Sequence, residues 1–438
     1  LSIAAAVNLT ILYQFAAAFV RAKRLDRIRE RAPIEELQRR WLAELLRDVG
    51  RNSAFYRAYA GRPLTHWPTV DKRIWMQQFD EINTVHAKLD VVLDIANQAE
   101  ATRDFAPTWN GFTVGLSTGT SGSRGLFMAS RAERAEWAGT LLAKMLDGSI
   151  FKRERVTLVL RAGSNLYDSV GALRLKFTFI DQAWAWNRIV EALQACDPTV
   201  LAAPARVLRL LADQRVCLRP RRIISVAEVL DELDRHKIEA WFGIRVEQIY
   251  QATEGLLGTT CEHGLIHLNE PYILIEPEWQ DTAQTRMIPL ITDLRRRSQP
   301  VIRYRLNDVL RVHGAPCACG RASMALDGVD GRRDDVLWLK GTDRSIPIFP
   351  DVLARTIVRE VADLSDFEVQ ELAPGNWRFS LAPMPVSAGR ERLLQACAAM
   401  VQSVGAEPPD IEVSEFQPRP LAQKQRRIRG HGSLTCAS

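Results

Sequence analysis

Ser117-Thr118-Gly119-Thr120-Ser121-Gly122 is the segment of this sequence best suited to chemistry. It follows a short apolar run and precedes Leu126-Phe127-Met128. Two glycines let the backbone turn sharply and approach a ligand without side-chain clash. The hydroxyls of Ser117, Thr118, Thr120 and Ser121, with the free amides, supply donors for phosphate oxygens. No Gly-Lys-Ser/Thr follows, so this is not a Walker loop, and taken alone the run also fits a polar hairpin turn. Tyr250-Gln251-Ala252-Thr253-Glu254-Gly255 closes an apolar strand pattern; its aromatic suits base stacking and its carboxylate suits magnesium. Farther on, Pro300 to Asp308 ends a strand pattern in a carboxylate placed to accept ribose hydroxyls.

Cysteines form a second candidate set. Cys261 sits in Cys261-Glu262-His263-Gly264-Leu265-Ile266-His267, and Cys317-Ala318-Cys319 follows downstream. Three thiols and one imidazole suit a tetrahedral structural zinc. His267 is the preferred imidazole, because Leu268 beside it suggests a fixed strand position. Two buried thiols beside a turn are the alternative.

The elements that must hold these residues are legible as patterns. The first hundred residues read as mostly helical, with an amphipathic helix near Ile34 to Val49. Strands are expected at Phe112 to Leu116, Val156 to Leu160, Arg222 to Val226 and Val246 to Tyr250. Helices are expected between them at Ala132 to Leu146, Trp186 to Gln194 and Arg206 to Asp213. That alternation predicts an α/β fold, a large body of sheets covered by helices. Gly331-Arg332-Arg333-Asp334-Asp335 reads as an exposed polar connector to a smaller α/β unit ending in the basic stretch Lys424 to Arg429. The expected divisions are residues 1–45, an apolar and amphipathic helical segment; 46–333, the large domain; and 334–438, a small mobile lid.

Bulk properties exclude little. The 438 residues are 47% hydrophobic and 25% charged, with a net charge of +6. Such a balance fits a binder of phosphates, nucleic acid or anionic lipid, or simply a solvated basic surface. Seven cysteines in so long a chain argue against a secreted disulfide scaffold and for a reducing cytoplasm. Leu1 to Val20 is mostly apolar and is followed by arginines and a lysine. It suits either a membrane attachment or a helix packed on the body.

The three chemical segments, in this order, resemble those of the adenylate-forming superfamily of acyl- and aryl-CoA ligases. The branch they are most similar to contains phenylacetate–CoA ligase and the synthetases that adenylylate a deazaflavin coenzyme. Asn52-Ser53-Ala54-Phe55-Tyr56-Arg57, Cys317-Ala318-Cys319-Gly320-Arg321 and Gly331 to Asp335 also resemble segments of that branch, over roughly residues 45 to 430. The resemblance implies that Ser117, Thr118, Gly119, Thr120, Ser121 and Gly122 cradle the β- and γ-phosphates. Tyr250 would stack on adenine, Thr253 contact the α-phosphate, Glu254 hold Mg2+, and Asp308 bind the ribose. Arg332 would lie near ribose or phosphate, Asp334 be the hinge, and Lys424 the catalytic lysine. The sequence departs from the pattern at Gln251, where glycine is usual. Ala422 and Gln423 precede Lys424 in place of Ser-Gly, and the lysine after the phosphate loop is replaced by nearby Arg124.

The implied reaction uses ATP and Mg2+ to activate a small aromatic or apolar carboxylic acid as an acyl-adenylate. Transfer to the thiol of coenzyme A or a carrier protein follows. The acid pocket is expected along Leu160 to Ile180, which includes Tyr167, Phe177 and Phe179, and along Ile224 to Leu257. One alternative is a nucleotidyltransferase acting on a hydroxyl. Another is a non-catalytic basic protein at a membrane. A peripheral membrane contact and a homodimer stay open, and no nucleic-acid partner is expected.

Overall fold

The computed structural model describes residues 3–117, 124–148, 152–161, 175–342, 344–421 and 425–431, with side chains of the first helix from Thr10 onward. A 12-stranded sheet forms the centre of the body. Its first half is parallel, in the spatial order Leu175–Asp181, Glu154–Leu160, Val200–Ala203, Arg222–Val226, Val246–Ala252. Strands buried on both faces read as continuous apolar runs, and all of Val200–Ala203 is buried. Helices Trp186–Cys196, Ala205–Asp213 and Glu232–Phe242 supply the crossovers. The sheet turns antiparallel at Gly255–Thr260 and continues through Ile266–Leu268, Ala325–Arg332, Asp308–Val312, Arg286–Asp293 and Ile273–Trp279.

A separate three-stranded sheet holds Phe112–Leu116 against Leu126–Ala129. This hairpin carries the phosphate-loop candidate between its arms. Helix Arg131–Met145 follows at once, opened by a full capping box between Ser130 and Glu133.

The first helix, Ile3–Leu25, lies along Arg131–Met145. Phe15, Ala18, Phe19 and Ala22 are buried. The close approach requires Gly139: a Cβ there would sit 2.4 Å from the Phe15 carbonyl oxygen. Of the two sequence-based readings of this segment, the packed helix is the one seen. Among the described residues, no helix is long and apolar enough to cross a membrane.

Beyond Arg332 the chain builds a second core. Leu337, Leu353, Phe367, Phe379, Leu393 and Val401 are fully buried in it, and among the described residues of the body Leu233 joins them. A four-stranded sheet supports this core, in the order Asp410–Glu415, Asn376–Ala382, Asp366–Ala373, Ile428–Arg429. The connector is less exposed than its composition predicts. Gly331 and Arg332 complete a body strand, and Asp335 is 5% exposed and paired with Arg426. A short polar run becomes buried here because the returning C-terminal strand covers it.

Candidate active site

The carboxyl end of strand Val246–Ala252 is where the parallel half of the sheet meets the antiparallel half. A cavity of about 1110 Å³ opens there. Ser117, Tyr250, Thr253, Glu254, Asp308, Arg332 and Asp334 all line it. Thr118 to Gly122 and Lys424 lie outside the described residues, as does Tyr167.

Strand pairing explains much of this convergence. Asp308 begins one strand and Arg332 ends its neighbour, and the two are direct cross-strand partners. The Tyr250 hydroxyl donates to Asp308 Oδ2 at 2.8 Å. Burial, then the Asp308 charge, raises the phenol well above its ordinary range. Asn307 Nδ2 donates to Asp334 Oδ2 at 2.5 Å, and Arg333 N donates to Asn307 O at 2.7 Å. The connector turn is therefore pinned to the residue beside Asp308.

Thr253 and Glu254 are held from behind. Arg296, stacked on Trp75, donates to the Thr253 carbonyl at 2.8 Å and to Gln299 at 2.7 Å. Tyr304 is 2% exposed. Burial, then the Glu254 carboxylate that its phenol hydrogen-bonds, raises that phenol far above its ordinary range.

The ends of the phosphate-loop candidate are pinched together. Ser117 N donates to Gly125 O, and Gly125 N donates to Ser117 Oγ, both at 2.7 Å. Arg124 donates to the Ser117 carbonyl at 3.0 Å and pairs with Glu100 at 2.6 Å. Lys72 comes closer to the chemistry. Its Cε lies 3.3 Å from where a Cβ on Gly125 would stand. Burial lowers its ammonium pKa, and the Glu254 charge opposes that shift. Sequence reasoning missed Lys72 and Arg296, which sit in no recognisable pattern, and Tyr304, which lies within the Pro300 to Asp308 segment but carried no signal of its own. The acid-pocket expectation needs correction too. Val226 to Glu232 and Gln248 to Leu256 line the cavity, whereas Phe177 and Phe179 do not. Phe177 packs against the main core instead. Helix Arg131–Met145 supplies the missing wall with Trp137, Thr140 and Leu141.

The small unit reaches the cavity through Gln425, Arg426, Arg427 and Ile428. Arg427 donates both terminal nitrogens to Asp234 at 2.9 Å, and also pairs with Asp231 and, at 3.1 Å, with Asp366. Arg209 joins this network through Asp366 at 2.7 Å. Upstream, Gln182 Nε2 donates to the Leu421 carbonyl at 3.0 Å and Arg206 to the Pro420 carbonyl at 2.9 Å. The chain is thus fastened to the body on both sides of Lys424. Gly430 permits a further approach, since a Cβ there would meet the Asp334 carbonyl oxygen at 2.9 Å. Removing one partner of a buried ion network leaves its counter-charges stranded. Arg427→Ala is therefore expected to weaken docking of the small unit by about 3–5 kcal/mol. Faster amide hydrogen exchange across the contact face would register it; unchanged exchange would show that the network holds nothing.

The cysteine set forms its own cluster away from this cavity. The ligand atoms of Cys261, His267, Cys317 and Cys319 all lie within 4.8 Å of one another, and all four residues are buried. Cys261 and Cys317 sulfurs are 3.7 Å apart, and Cys319 Sγ is 3.3 Å from His267 Nε2. His267 Nδ1 donates to the Ser323 carbonyl at 2.9 Å. That leaves the Nε2 lone pair facing the thiols, as a metal-binding imidazole requires. Burial also lowers the imidazole pKa, which favours the neutral form.

No family profile matches the sequence, and no curated protein matches it significantly. Solved structures do match. A 2-hydroxyisobutyryl-CoA ligase in the postadenylation state, bound to 2-HIB-AMP, superimposes with TM-score 0.63 at 17% identity, covering 88% of this chain and 87% of that one. An anthranilate-CoA ligase, AuaEII, bound to anthranoyl-AMP, gives 0.52 at 12% identity, over 71% and 66%. The amide bond synthetase McbA from Marinactinospora thermotolerans gives 0.52 at 13%, over 72% and 67%. The chain has the fold of the adenylate-forming ligases. The 2-hydroxyisobutyryl-CoA ligase scores 0.63 in the postadenylation state but 0.51 in the thioesterification state.

Proposed function

We propose that the chain activates a small carboxylic acid with ATP and Mg2+ as an acyl-adenylate, then passes the acyl group to a thiol of coenzyme A or a carrier protein. The observation that carries this reading is the meeting of Tyr250, Asp308, Glu254, Lys72 and the segment flanking Lys424 at one cavity. The acid carboxylate attacks the α-phosphorus of ATP, a P–O bond to the β-phosphate breaks, and pyrophosphate leaves. Negative groups are pressed together in that step, so the site must offset charge. Lys72 and Lys424 bring positive charge to the phosphates. Glu254, oriented by Tyr304, would hold Mg2+, which supplies electrostatic stabilisation of the phosphates. Asp308 would take the ribose hydroxyls while Tyr250 packs on the adenine.

The higher score against the postadenylation state supports a small lid domain caught near its adenylation position. The second half-reaction then needs a rotation about Asp334, so that Lys424 leaves and a thiol enters. Incubation with ATP, Mg2+ and a panel of carboxylic acids tests the reading. Pyrophosphate release that depends on one acid, with a thioester formed on adding coenzyme A, is the expected result.

The Cys/His cluster supports a structural Zn2+ as part of the same reading, and with it the branch that carries a Cys-x-Cys-Gly-Arg segment. Protein purified without added metal should contain one zinc per chain. Because such binding is coupled to folding, Cys317→Ser should lower both zinc content and thermal stability. An unchanged melting temperature with no metal by elemental analysis would remove zinc from the account.

A further inference from the structure

Part of the cavity wall is chemically unlike the rest. Trp137, Leu141, Met145, Leu158, Ile249 and Leu256 give it a largely apolar lining. Thr140 and Tyr272 stand in the same wall, only 4% and 5% exposed. Neither hydroxyl completes a hydrogen bond of good distance and angle with the protein; they offer only weak contacts to each other, and Tyr272 a weak one to Arg21. The Arg21 Nε is likewise buried without a partner. A buried polar group without a well-formed hydrogen bond is costly, so three together call for an acceptor.

The patch is rigid and net positive. Tyr272 packs against Trp41, with ring centroids 5.6 Å apart. Its carbonyl accepts from Leu294 N at 2.9 Å. Glu136 serves two guanidiniums: Arg21 at 2.7 Å, and Arg295 at 3.0 Å, itself stacked on Trp41. The patch borders the Glu254 turn: Gly255, next to Glu254, abuts Ile273 and Asp293, and Tyr272 is the next residue along from Ile273.

Resting on the function proposed above, we infer that the acid carries a second oxygen, separate from its reactive carboxylate, which accepts hydrogen bonds from Thr140 and Tyr272. Arg21 and Arg295 stand behind them, so the group is an uncharged hydroxyl or a second carboxylate. The apolar walls then hold the carbon skeleton between the two ends. This class of substrate differs from the wholly apolar acid that composition suggests.

Acids of equal skeleton ending in methyl, hydroxyl or carboxylate separate the cases. Acid-dependent exchange of labelled pyrophosphate into ATP is measured with each, for the wild type and for Thr140→Val and Tyr272→Phe. Both changes keep the side-chain shape. An oxygen-bearing acid should exceed its methyl partner in kcat/KM by at least about tenfold, since a site built to bond an oxygen discriminates against its absence. The ratio should fall towards one in either variant, and the preferred terminus tells hydroxyl from carboxylate. Preference for the methyl acid, or a ratio that neither variant moves, overturns the inference; the hydroxyls would then serve a buried water only. Exchange with none of the acids would instead bring down the function reading, and this inference with it.

Discussion

Replacing Lys424 with alanine is expected to lower acid-dependent adenylate formation by about a hundredfold or more, the scale of losing one charged donor in the transition state. Its flanks explain why so large an effect is expected there. Pro420 and Leu421 on one side, and Gln425 and Arg427 on the other, are bonded to groups of the body or the lid base. These anchors fix the ends of the short segment that contains Lys424. ATP affinity should change little, because Ser117, Tyr250, Asp308 and Lys72 belong to the body. An adenylation rate equal to wild type would take Lys424 out of the reaction.

Asp334→Pro is expected to act on the other half-reaction, sparing adenylate formation and blocking thioester formation. Asp334 sits in a one-turn helix, Arg333–Asp335, pinned to Asn307. Proline fixes φ near −65°, a value that such a turn already uses. It therefore keeps the present backbone, with some strain at Arg333 and the loss of the Asn307 hydrogen bond to the Asp334 carboxylate, and resists the dihedral change that a rotating lid needs. Single-turnover assays that follow acyl-adenylate and thioester separately read the two effects. An equal fall in both would mean that the substitution damages the site and that Asp334 is no hinge.

Much of the body was legible because its patterns are local. Phe112–Leu116 and Arg222–Val226 occur where the apolar runs predict them, and the helix at Ala205–Asp213 differs by one residue at its start. What could not be read was burial created by distant partners. The basic stretch Lys424 to Arg429 looks like a solvated surface. Instead Arg426 pairs with Asp335, Arg427 with Asp231, Asp234 and Asp366, and Arg429 with Glu368. Asp335 looked exposed for the same reason. Lys72 opens a short helix, Lys72–Gln77, far along the chain from Glu254, and nothing nearby in sequence marks it as a cation lining the same cavity. The order of Tyr250 and Asp308 was readable, but not that one donates directly to the other. Phe177 and Phe179 share one face of Leu175–Asp181, and alternation alone does not say whether a face looks onto a core or a cavity.

The most direct test of the account is exchange of labelled pyrophosphate into ATP across a library of carboxylic acids. A mixed anhydride forms reversibly, so label should enter ATP only when the right acid is present. The account predicts acid-dependent exchange, lowered about a hundredfold or more in Lys424→Ala, with thioester appearing once coenzyme A or a carrier thiol is supplied. It is contradicted if no carboxylic acid supports exchange while a phenol or alcohol accumulates as a stable adenylyl phosphodiester.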